Sequence, residues 1–282
     1  MSQHKIIAAI HDLSGYGRCS LSVILPVISA MGIQVCPVPT AVMSTHTGGF
    51  TDIAMEDLTD HISACYNHYE KLHLKFDAIY SGFLSSPKQV DCCLEFLHGN
   101  PDSLKVVDPV MGDNGKPYST YTPELICRMK ELVDAADVIT PNLTETCMLL
   151  GEECPPVMSV AQARSCDKPG IVVIKGVPLI DDDGQKLSNV GFDKESGSFW
   201  RIDWDHIPVH YPGTGDIFTS VLTASLLKGE SLPIALNRAT TFTEIAVKTT
   251  YSYGTEPRLG VLFEDCLSWL MTNTVLCDYR KL

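Results

Sequence analysis

The sequence predicts an α/β protein in which one mainly parallel β-sheet lies between helices on both faces. Short β-rich runs alternate with longer helical patterns over the first two thirds of the chain. Two strand-like runs after Val177, separated by a Gly-containing turn, predict antiparallel strands at one edge of the sheet. From Ile217 onward the chain is mostly helical. Together these features are typical of a layered sheet-and-helix fold.

The predicted elements follow one another in a regular order. Parallel strands are expected at residues 5–10, 34–42, 77–83, 105–110, 137–140 and 171–176. Helical periodicity predicts helices at residues 20–31, 58–72, 87–97, 123–135 and 143–150. Residues 181–184 predict a tight turn, residues 188–192 and 198–202 the antiparallel strands, and residues 217–227, 232–248 and 262–271 the late helices. Because no repeat, low-complexity tract or linker interrupts this order, we expect a single domain over residues 1–282.

The composition restricts the classes of function. The formal net charge of −13 argues against nucleic acid or an anionic membrane as the main partner. The longest apolar runs are too short to span a bilayer, and the run at residues 6–10 is too short for a signal peptide. The 11 cysteines are scattered without disulfide-framework or metal-ligand spacing, which predicts a cytoplasmic location. An anionic ligand therefore has to be held by a local arrangement.

The most informative segment is Tyr211-Pro-Gly-Thr-Gly-Asp-Ile217, which leads directly into an apolar helix. Gly213 and Gly215 leave the backbone bare, so successive N–H groups can converge on an anion at the helix N-terminus. A carboxylate at Asp216 would repel a phosphate unless it accepts a proton from a hydroxyl that receives a phosphoryl group. A glycine turn in which Asp216 only satisfies the first helical turn explains the same residues equally well.

Polar residues follow the first two predicted strands, at the edge where ligands bind in an open α/β sheet. Asp12 and Ser14 are able to hydrogen-bond a polar small molecule, although a turn capped by the two side chains is the simpler interpretation. His46, in the loop at residues 44–49, suits either a polar pocket wall or an ordinary surface turn.

The later strands end in charged or capping residues. Asp108 directly follows an apolar strand, where a buried carboxylate needs turn amides or a cation such as Mg²⁺ to compensate it. Asn142 and Glu145 have the spacing of a capping box, yet the same carboxylate could face a metal-bound phosphate. Lys175, which precedes Gly176 at the end of an apolar strand, is either an edge residue that reaches solvent or a neighbour of a phosphate.

Several motifs occur in the order found in one known family. They are D-P-V-M-G-D at residues 108–113, T-P-N-x-x-E at 140–145, K-G at 175–176 and G-T-G-D at 213–216. These motifs resemble those of the ribokinase-like small-molecule kinases. The chain is similar within that superfamily to the pyridoxal/pyridoxine/pyridoxamine (vitamin B6) kinases, through D-L-S-G-Y-G at 12–17, Thr40, S-T-H-T at 44–47 and S-G-F-L at 81–84. The resemblance covers nearly the whole chain and implies a three-layer αβα sandwich without a separate lid domain.

The resemblance implies a role for each matching residue. Asp216 would be the catalytic base toward the 5′-hydroxymethyl group, with Gly213, Thr214 and Gly215 as the anion hole. Asp12, Thr40, His46 and Phe83 would surround the pyridine ring, with Ser14 as a further substrate ligand. Asn142, Glu145, Lys175 and Gly176 would line the ATP side. Asp108 and Glu145 would organise Mg²⁺, and Asp108 with Thr140 would lie beside a monovalent cation, K⁺.

The activity implied by the resemblance is ATP-dependent phosphorylation of a B6 vitamer by a homodimer. Hydroxymethylpyrimidine kinase is the alternative, because many B6 kinases have serine where Asp12 aligns and tyrosine where Phe83 aligns. In having Asp at position 12, the chain resembles the hydroxymethylpyrimidine kinases. Neither a Walker A motif nor the protein-kinase signature occurs in the sequence. A kinase with this sequence therefore needs a nucleotide site of a different class.

Two other classes of protein are weaker alternatives. Gly15 and Gly17 after the first strand suggest a nicotinamide-dependent oxidoreductase, but Ser20 occupies the third glycine position of that motif. A non-catalytic binding protein on the same fold has little use for a carboxylate such as Asp216 beside a phosphate. The sequence therefore favours a kinase.

Overall fold

A computed structural model of the chain describes residues 4–118, 120–153, 170–181, 184–272 and 276–282. The strands are β1 (Ile6–Tyr16), β2 (Gln34–Thr45), β3 (Met55–Asp57), β4 (Ala78–Ser81), β5 (Leu104–Val107), β6 (Gly112–Asp113), β7 (Lys116–Pro117), β8 (Val138–Ile139), β9 (Ile171–Asp181), β10 (Gly184–Asp193), β11 (Ser198–Trp204) and β12 (Arg280–Lys281). The described α-helices are α1 (Leu21–Ala30), α2 (Thr59–Lys71), α3 (Pro87–Gly99), α4 (Pro123–Asp134), α5 (Leu143–Leu150), α6 (Thr214–Leu227), α7 (Leu232–Tyr253) and α8 (Leu267–Leu270).

Ten of these strands form one sheet, in the order β12-β11-β10-β9-β8-β5-β4-β1-β2-β3. The six strands from β9 to β2 in this order pair in parallel. Antiparallel strands flank them on both sides, with β3 on β2 and β10 to β12 beyond β9. The prediction of a mainly parallel sheet with antiparallel edge strands is confirmed. The carboxyl ends of the parallel strands consequently meet at one edge, where open α/β sheets bind ligands.

Alternate residues of β1 supply the apolar cores on the two faces of the sheet. Ile7 and Ala9 pack into the core shared with α1, α6 and α7, whereas Ala8 and Ile10 pack into the core shared with α2, α3 and α4. Because successive side chains of a strand point to opposite faces, a strand that is apolar throughout has to be covered twice. The result is the predicted three-layer arrangement. None of the described helices is both long and apolar enough to cross a membrane.

The largest difference from the predicted elements is the length of β1. The loop expected from residue 11 begins only after Tyr16, since β1 pairs with β2 as far as Tyr16 opposite Thr45. A register irregularity between His11 and Leu13 interrupts this pairing at Asp12. Gly15 therefore lies inside a strand, which leaves no room for the dinucleotide-binding turn considered above.

Two predictions concern short segments away from the central strands. The helix expected at residues 262–271 is wrong, because the chain there forms a 3₁₀ turn (Phe263–Cys266) followed by the single-turn helix α8. The tight turn expected at residues 181–184 includes Asp182 and Asp183, which lie outside the described residues. Strand β3 was not predicted, since its Met-Glu-Asp sequence has no strand pattern and all three residues are exposed.

Candidate active site

A cavity of about 820 Å³ opens at the carboxyl ends of the parallel strands. It brings together twelve of the residues proposed from the sequence: Asp12, His46, Phe83, Asp108, Asn142, Glu145, Lys175, Gly176, Gly213, Thr214, Gly215 and Asp216. The other three proposed residues, Ser14, Thr40 and Thr140, are fully buried behind the lining side chains. Residues more than 200 positions apart in the chain therefore share one site.

The glycine motif forms the start of α6 at the wall of this cavity. Gly213 is the N-cap residue and has a left-handed backbone with φ of 84°. A Cβ atom at this position would overlap the carbonyl oxygen of Arg18. Thr214 donates a side-chain hydrogen bond to the carbonyl of Tyr211 at 3.2 Å. The first amides of α6 are thus presented to the cavity by a turn that requires glycine.

Asp216 lies in the first turn of α6, and both of its carboxylate oxygens have partners. The Ser20 amide donates to Oδ2 at 2.7 Å, and the Cys19 thiol lies 3.4 Å from the same oxygen. Nε2 of His11 lies 3.2 Å from Oδ1. Burial raises the pKa of Asp216, but the hydrogen bond and charge of His11 and the Ser20 amide outweigh burial and hold the pKa below its usual value. The side chain is therefore an ionised carboxylate at the edge of the cavity.

Lys175 and Asp108 form a buried ion pair beside the start of α6. Nζ of Lys175 lies 2.9 and 2.8 Å from the two carboxylate oxygens of Asp108. Thr219 of α6 donates to Asp108 at 3.0 Å, and its hydroxyl lies 2.9 Å from that of Thr140. A Cβ atom on Gly215 would lie 3.3 Å from Nζ of Lys175. The ammonium group and the bare backbone of α6 consequently face the same space.

Asn142 and Glu145 form the capping box that their spacing predicted. The Asn142 side chain accepts from the Glu145 amide at 2.8 Å, and the Glu145 carboxylate accepts from the amides of Asn142 at 2.7 Å and Met111 at 3.1 Å. Burial and the charge of Asp108 raise the pKa of Glu145 to about 8, against the opposing effects of Lys175 and the two amides. Glu145 is thus both a structural cap and a cavity-lining acid, so the two interpretations of this motif are compatible.

Asp12 lines the cavity, but its carboxylate already has three partners. His11 Nδ1 and the Ser20 hydroxyl lie 2.9 and 2.6 Å from Oδ1, and the Ser14 hydroxyl donates to Oδ2 at 2.8 Å. The side chains of Asp12 and Ser14 are both buried. Ser14 therefore supports Asp12 in this structure.

His46 and Phe83 line the same cavity, and Thr40 is buried beside Phe83. Nδ1 of His46 accepts from the Gly48 amide at 3.1 Å, so Nε2 carries the proton that is donated to the carbonyl of Arg258 at 2.8 Å. Thr40 donates to the carbonyl of Phe83 at 3.3 Å. The ring of His46 is buried rather than exposed as in an ordinary surface turn. Both ring nitrogens fix the loop that carries it.

The residue that the sequence did not single out is His11. It precedes Asp12 in β1, is 2% exposed, and lines the cavity between two carboxylates. Burial lowers the pKa of His11, but the hydrogen bonds and charges of Asp12 and Asp216 outweigh burial and raise it to about 10. Its position directly after the apolar run 6–10 was a signal for a residue at the end of a strand. The sequence did not indicate its pairing with Asp216, because Asp216 is more than 200 residues away.

The donor atoms suit a divalent ion that is carried mainly by a nucleotide. No group of three or more His, Cys, Asp or Glu side chains among the described residues is spaced to hold a metal ion alone. Asp108 and Glu145 nevertheless place two carboxylates at the cavity. Mg²⁺ commonly keeps several waters and binds one or two carboxylates together with substrate phosphates. The residues present therefore fit a phosphate-bound ion.

Comparison with known proteins decides the family. A family model described as phosphomethylpyrimidine kinase matches residues 25–259. The chain belongs to this family. Membership of the family makes it a kinase, implies ATP and a divalent metal ion, and excludes the oxidoreductase alternative.

Three similar proteins illustrate the range of substrates within the family. A Bacteroides thetaiotaomicron protein provisionally assigned as a phosphomethylpyrimidine kinase, in a crystal form with pyridoxal, is 41% identical with a TM-score of 0.93, covering 99% of this chain and 100% of that one. The pyridoxal kinase of Lactobacillus plantarum is 31% identical with a TM-score of 0.86, covering 96% of this chain and 97% of that one. The hydroxymethylpyrimidine/phosphomethylpyrimidine kinase of Haemophilus influenzae is 26% identical over 90% of this chain and 95% of its own length.

Proposed function

We propose that the protein transfers the γ-phosphoryl group of ATP to the 5′-hydroxymethyl group of pyridoxal, pyridoxine or pyridoxamine, giving the 5′-phosphate. The observation that carries this proposal is the position of Asp216. Its ionised carboxylate lines the cavity in the first turn of α6, where a glycine-dependent turn exposes helix amides. A base and an anion-binding helix start are the two components that phosphoryl transfer to an alcohol requires.

Asp216 would orient the hydroxyl and accept its proton late in the reaction. An aspartate with a lowered pKa is too weak a base to ionise an alcohol in the ground state. In a loose transition state the hydroxyl oxygen bonds to the γ-phosphorus while the bond to the bridging oxygen of ADP breaks. The O–H bond weakens as that new bond forms, and the proton then passes to Asp216. Most of the acceleration would come from alignment and from the amides of Gly213, Thr214 and Gly215.

Lys175, Asp108 and Glu145 would form the nucleotide side of the site. The Lys175 ammonium faces the same space as Gly215, which suits a bound phosphate. Asn142 and Gly176 line the cavity beside it. We propose Mg²⁺ as the divalent ion, which would neutralise phosphate charge when bound with ATP. K⁺ near Asp108 and Thr140 remains a prediction, as do the homodimer and the cytoplasmic location.

We favour a B6 vitamer over hydroxymethylpyrimidine as the substrate, because a similar protein was crystallised with pyridoxal. It is 41% identical over nearly the whole chain, more than the 26% of the Haemophilus influenzae kinase. Phe83 and His46 supply aromatic rings among the residues that line the cavity with Asp216. Stacking on such surfaces suits an aromatic substrate.

Hydroxymethylpyrimidine remains a second candidate substrate because the matching family model is described as phosphomethylpyrimidine kinase and the Haemophilus influenzae relative carries that activity in its name. Both candidate substrates present a hydroxymethyl group on an aromatic nitrogen ring. The reaction at Asp216 is the same for both, so the ring decides between them.

A substrate panel tests the proposal. The purified protein would be assayed for ADP release with pyridoxal, pyridoxine, pyridoxamine and hydroxymethylpyrimidine, each with ATP and Mg²⁺, with Asp216→Asn as the blank. The proposal expects the highest kcat/KM with one of the three vitamers. A clear preference for hydroxymethylpyrimidine would assign the alternative, and vitamer binding without turnover would contradict the kinase reaction.

A further inference from the structure

His11 connects Asp12 to the proposed base Asp216 through a buried chain of charges. Its Nδ1 lies 2.9 Å from Asp12 Oδ1 and its Nε2 lies 3.2 Å from Asp216 Oδ1. The side chains of His11 and Asp12 are each 3% exposed and that of Asp216 is 9% exposed. Because water is nearly excluded, the interactions along the Asp12–His11–Asp216 chain are only weakly screened.

Each ring nitrogen of His11 also faces a backbone amide. The Asp12 amide is directed as a donor at Nδ1, 3.0 Å away, and the Phe83 amide is directed as a donor at Nε2, 3.2 Å away. A neutral ring would accept from one amide but would turn an unprotonated nitrogen toward a carboxylate. Two full negative charges favour the imidazolium more strongly than two amide dipoles oppose it. The two carboxylates therefore determine the protonation state of the ring.

The ring is also fixed sterically. Gly82 follows β4, and a Cβ atom on it would overlap Cδ2 and Nε2 of His11. The titratable groups near the carboxylates are Lys175, whose ammonium group also interacts with Asp216, and two further groups, Cys19 and Tyr80. Burial and the neighbouring carboxylates raise the pKa of both groups well above the usual value, so both are neutral. No other described charge is needed to explain the pairing of His11 with Asp12 and Asp216.

We propose that His11 is a positioning residue for phosphoryl transfer: a buried imidazolium that holds Asp216 in its reactive orientation, with Asp12 as its counter-ion. This proposal rests on the kinase function proposed above. His11 keeps both of its protons throughout the reaction, and the hydroxyl proton of the substrate passes to Asp216. Asp12 then acts on catalysis through His11.

In this arrangement each carboxylate oxygen of Asp216 has a neighbour that fixes its position. Oδ2 is held by the Ser20 amide and Oδ1 by His11, so the carboxylate has a fixed plane. A fixed plane directs the remaining lone pairs toward a hydroxyl in the cavity. Misplacing such a group by about 1 Å lowers turnover by roughly 100-fold.

The protonation state of His11 is measurable by NMR on the full chain without any substrate. In protein labelled with ¹⁵N in its nine histidines, the His11 ring is identified by its absence in His11→Gln. We expect both ring nitrogens to be protonated throughout the range from about pH 6 to about pH 9. In Asp216→Asn we expect the ring to lose a proton within that range. A singly protonated His11 ring in the wild type at neutral pH overturns the proposal, and so does a ring that Asp216→Asn leaves unchanged.

Kinetics with the best substrate of the panel test the effect on catalysis. We expect His11→Gln to lower kcat by about 10- to 100-fold, with the KM for ATP nearly unchanged, because the nucleotide side does not contact His11. The exposed His98 on α3 supplies the matched control, and His98→Asn should keep wild-type kcat. A normal kcat in a folded His11→Gln protein overturns the positioning role.

A double variant separates Asp12 from the substrate. If Asp12 acts through His11, Asp12→Asn lowers kcat in the wild type but adds little to His11→Gln. Multiplicative losses in the double variant would show that Asp12 contacts the substrate independently and would overturn the chain. If no substrate is turned over by the wild type, the proposed function fails while the NMR experiment still decides the state of His11.

Discussion

At the scale of single residues, the site separates positioning from chemistry. One carboxylate oxygen of Asp216 accepts from the Ser20 amide and the other lies 3.2 Å from Nε2 of His11; these contacts fix its orientation but lower its basicity. A weak, well-aligned base suits phosphoryl transfer, in which the proton leaves the hydroxyl late. The reactivity of this residue is thus expected to depend on geometry more than on proton affinity.

The first prediction concerns removal of the proposed base. Asp216→Asn keeps the shape of the side chain and loses the charge, so we expect kcat to fall by about 10²- to 10⁴-fold while the protein folds and binds ATP. Steady-state ADP release measures kcat, and calorimetry measures nucleotide binding. Asp60 on α2, whose side chain is 92% exposed, provides the control Asp60→Asn. Near-normal turnover in Asp216→Asn would exclude the residue as the base.

The sequence predicted most of the residues at the site because their signals are local. Gly213 and Asp216 lie in one short motif, and Asn142 and Glu145 lie three positions apart in a capping box. His11 escaped prediction because its significance depends on contact with a helix at the other end of the chain. A single histidine between an apolar run and an aspartate has no local pattern that distinguishes it from a turn residue.

At the scale of elements, the start of α6 depends on one backbone conformation. Gly213 adopts φ of 84°, which L-residues rarely adopt, and the space for a Cβ atom is occupied by the carbonyl of Arg18. The conformation and the close approach together aim the first amides of α6 at the cavity. Substitution can separate the two constraints, the positive φ and the close approach of the Arg18 carbonyl, because another glycine of the chain has only the first.

The second prediction separates these two constraints. Gly229, after α6, has the same φ of 84°, but no atom lies within 4 Å of the place that a Cβ atom would take, so Gly229→Ala should cost only about 1–2 kcal/mol. Gly213→Ala adds the overlap with Arg18 and should cost a further ~1–3 kcal/mol. Chemical denaturation measures both free energies of unfolding. Equal losses for the two variants would contradict the close approach.

The third prediction concerns the ion pair between Lys175 of β9 and Asp108, which lies in the loop after β5. Lys175→Met leaves the Asp108 carboxylate buried without its ammonium partner, so we expect a loss of about 3–5 kcal/mol in the free energy of unfolding. The double variant Lys175→Met/Asp108→Asn removes the uncompensated charge and should be more stable than Lys175→Met alone. Denaturation curves measured by circular dichroism test this order. A double variant that is less stable than the single one would contradict the ion pair.

The sequence predicted the central strands better than their ends. An apolar run such as Ile6 to Ile10 has no alternative to a covered strand, whereas the extension of β1 to Tyr16 depends on pairing with β2. Polar and glycine residues normally indicate a turn, and at positions 11–16 the neighbouring strand overrides this local preference. The sequence of the antiparallel strand β3 has no strand-like pattern of apolar and polar residues. This strand also depends on its neighbour, since it forms by pairing with β2.

At the scale of the whole molecule, the site concentrates charge in a chain of formal net charge −13. Asp12, Asp108, Glu145 and Asp216 line one cavity with His11 and Lys175. Each of these two cations lies between or beside carboxylates that would otherwise repel one another. The stability of the fold is therefore expected to depend on pH through the site.

The fourth prediction is the direction of that dependence. The pKa of His11 is about 10 in the folded protein and roughly 6.5 in the unfolded chain. Its contribution to stability is thus fully present below about pH 6.5 and is lost as the pH rises toward about 10. Asp216 has a lowered pKa, so its contribution is lost only as the pH falls through the acid range. Between neutral and alkaline pH, His11 alone of the pair should change the free energy of unfolding.

Comparison with a neutral pair measures this contribution. His11→Gln/Asp216→Asn removes both charges while Ser14 and Ser20 still donate to Asp12. The stability advantage of the wild type over this double variant should decline on the order of a few kcal/mol from about pH 6.5 to about pH 10. Urea denaturation at a series of pH values measures the difference, with His98→Asn expected to follow the wild type. A difference that stays constant over this range would mean that His11 is not charged in the folded protein, because a cation held by Asp12 and Asp216 couples folding to pH in this direction.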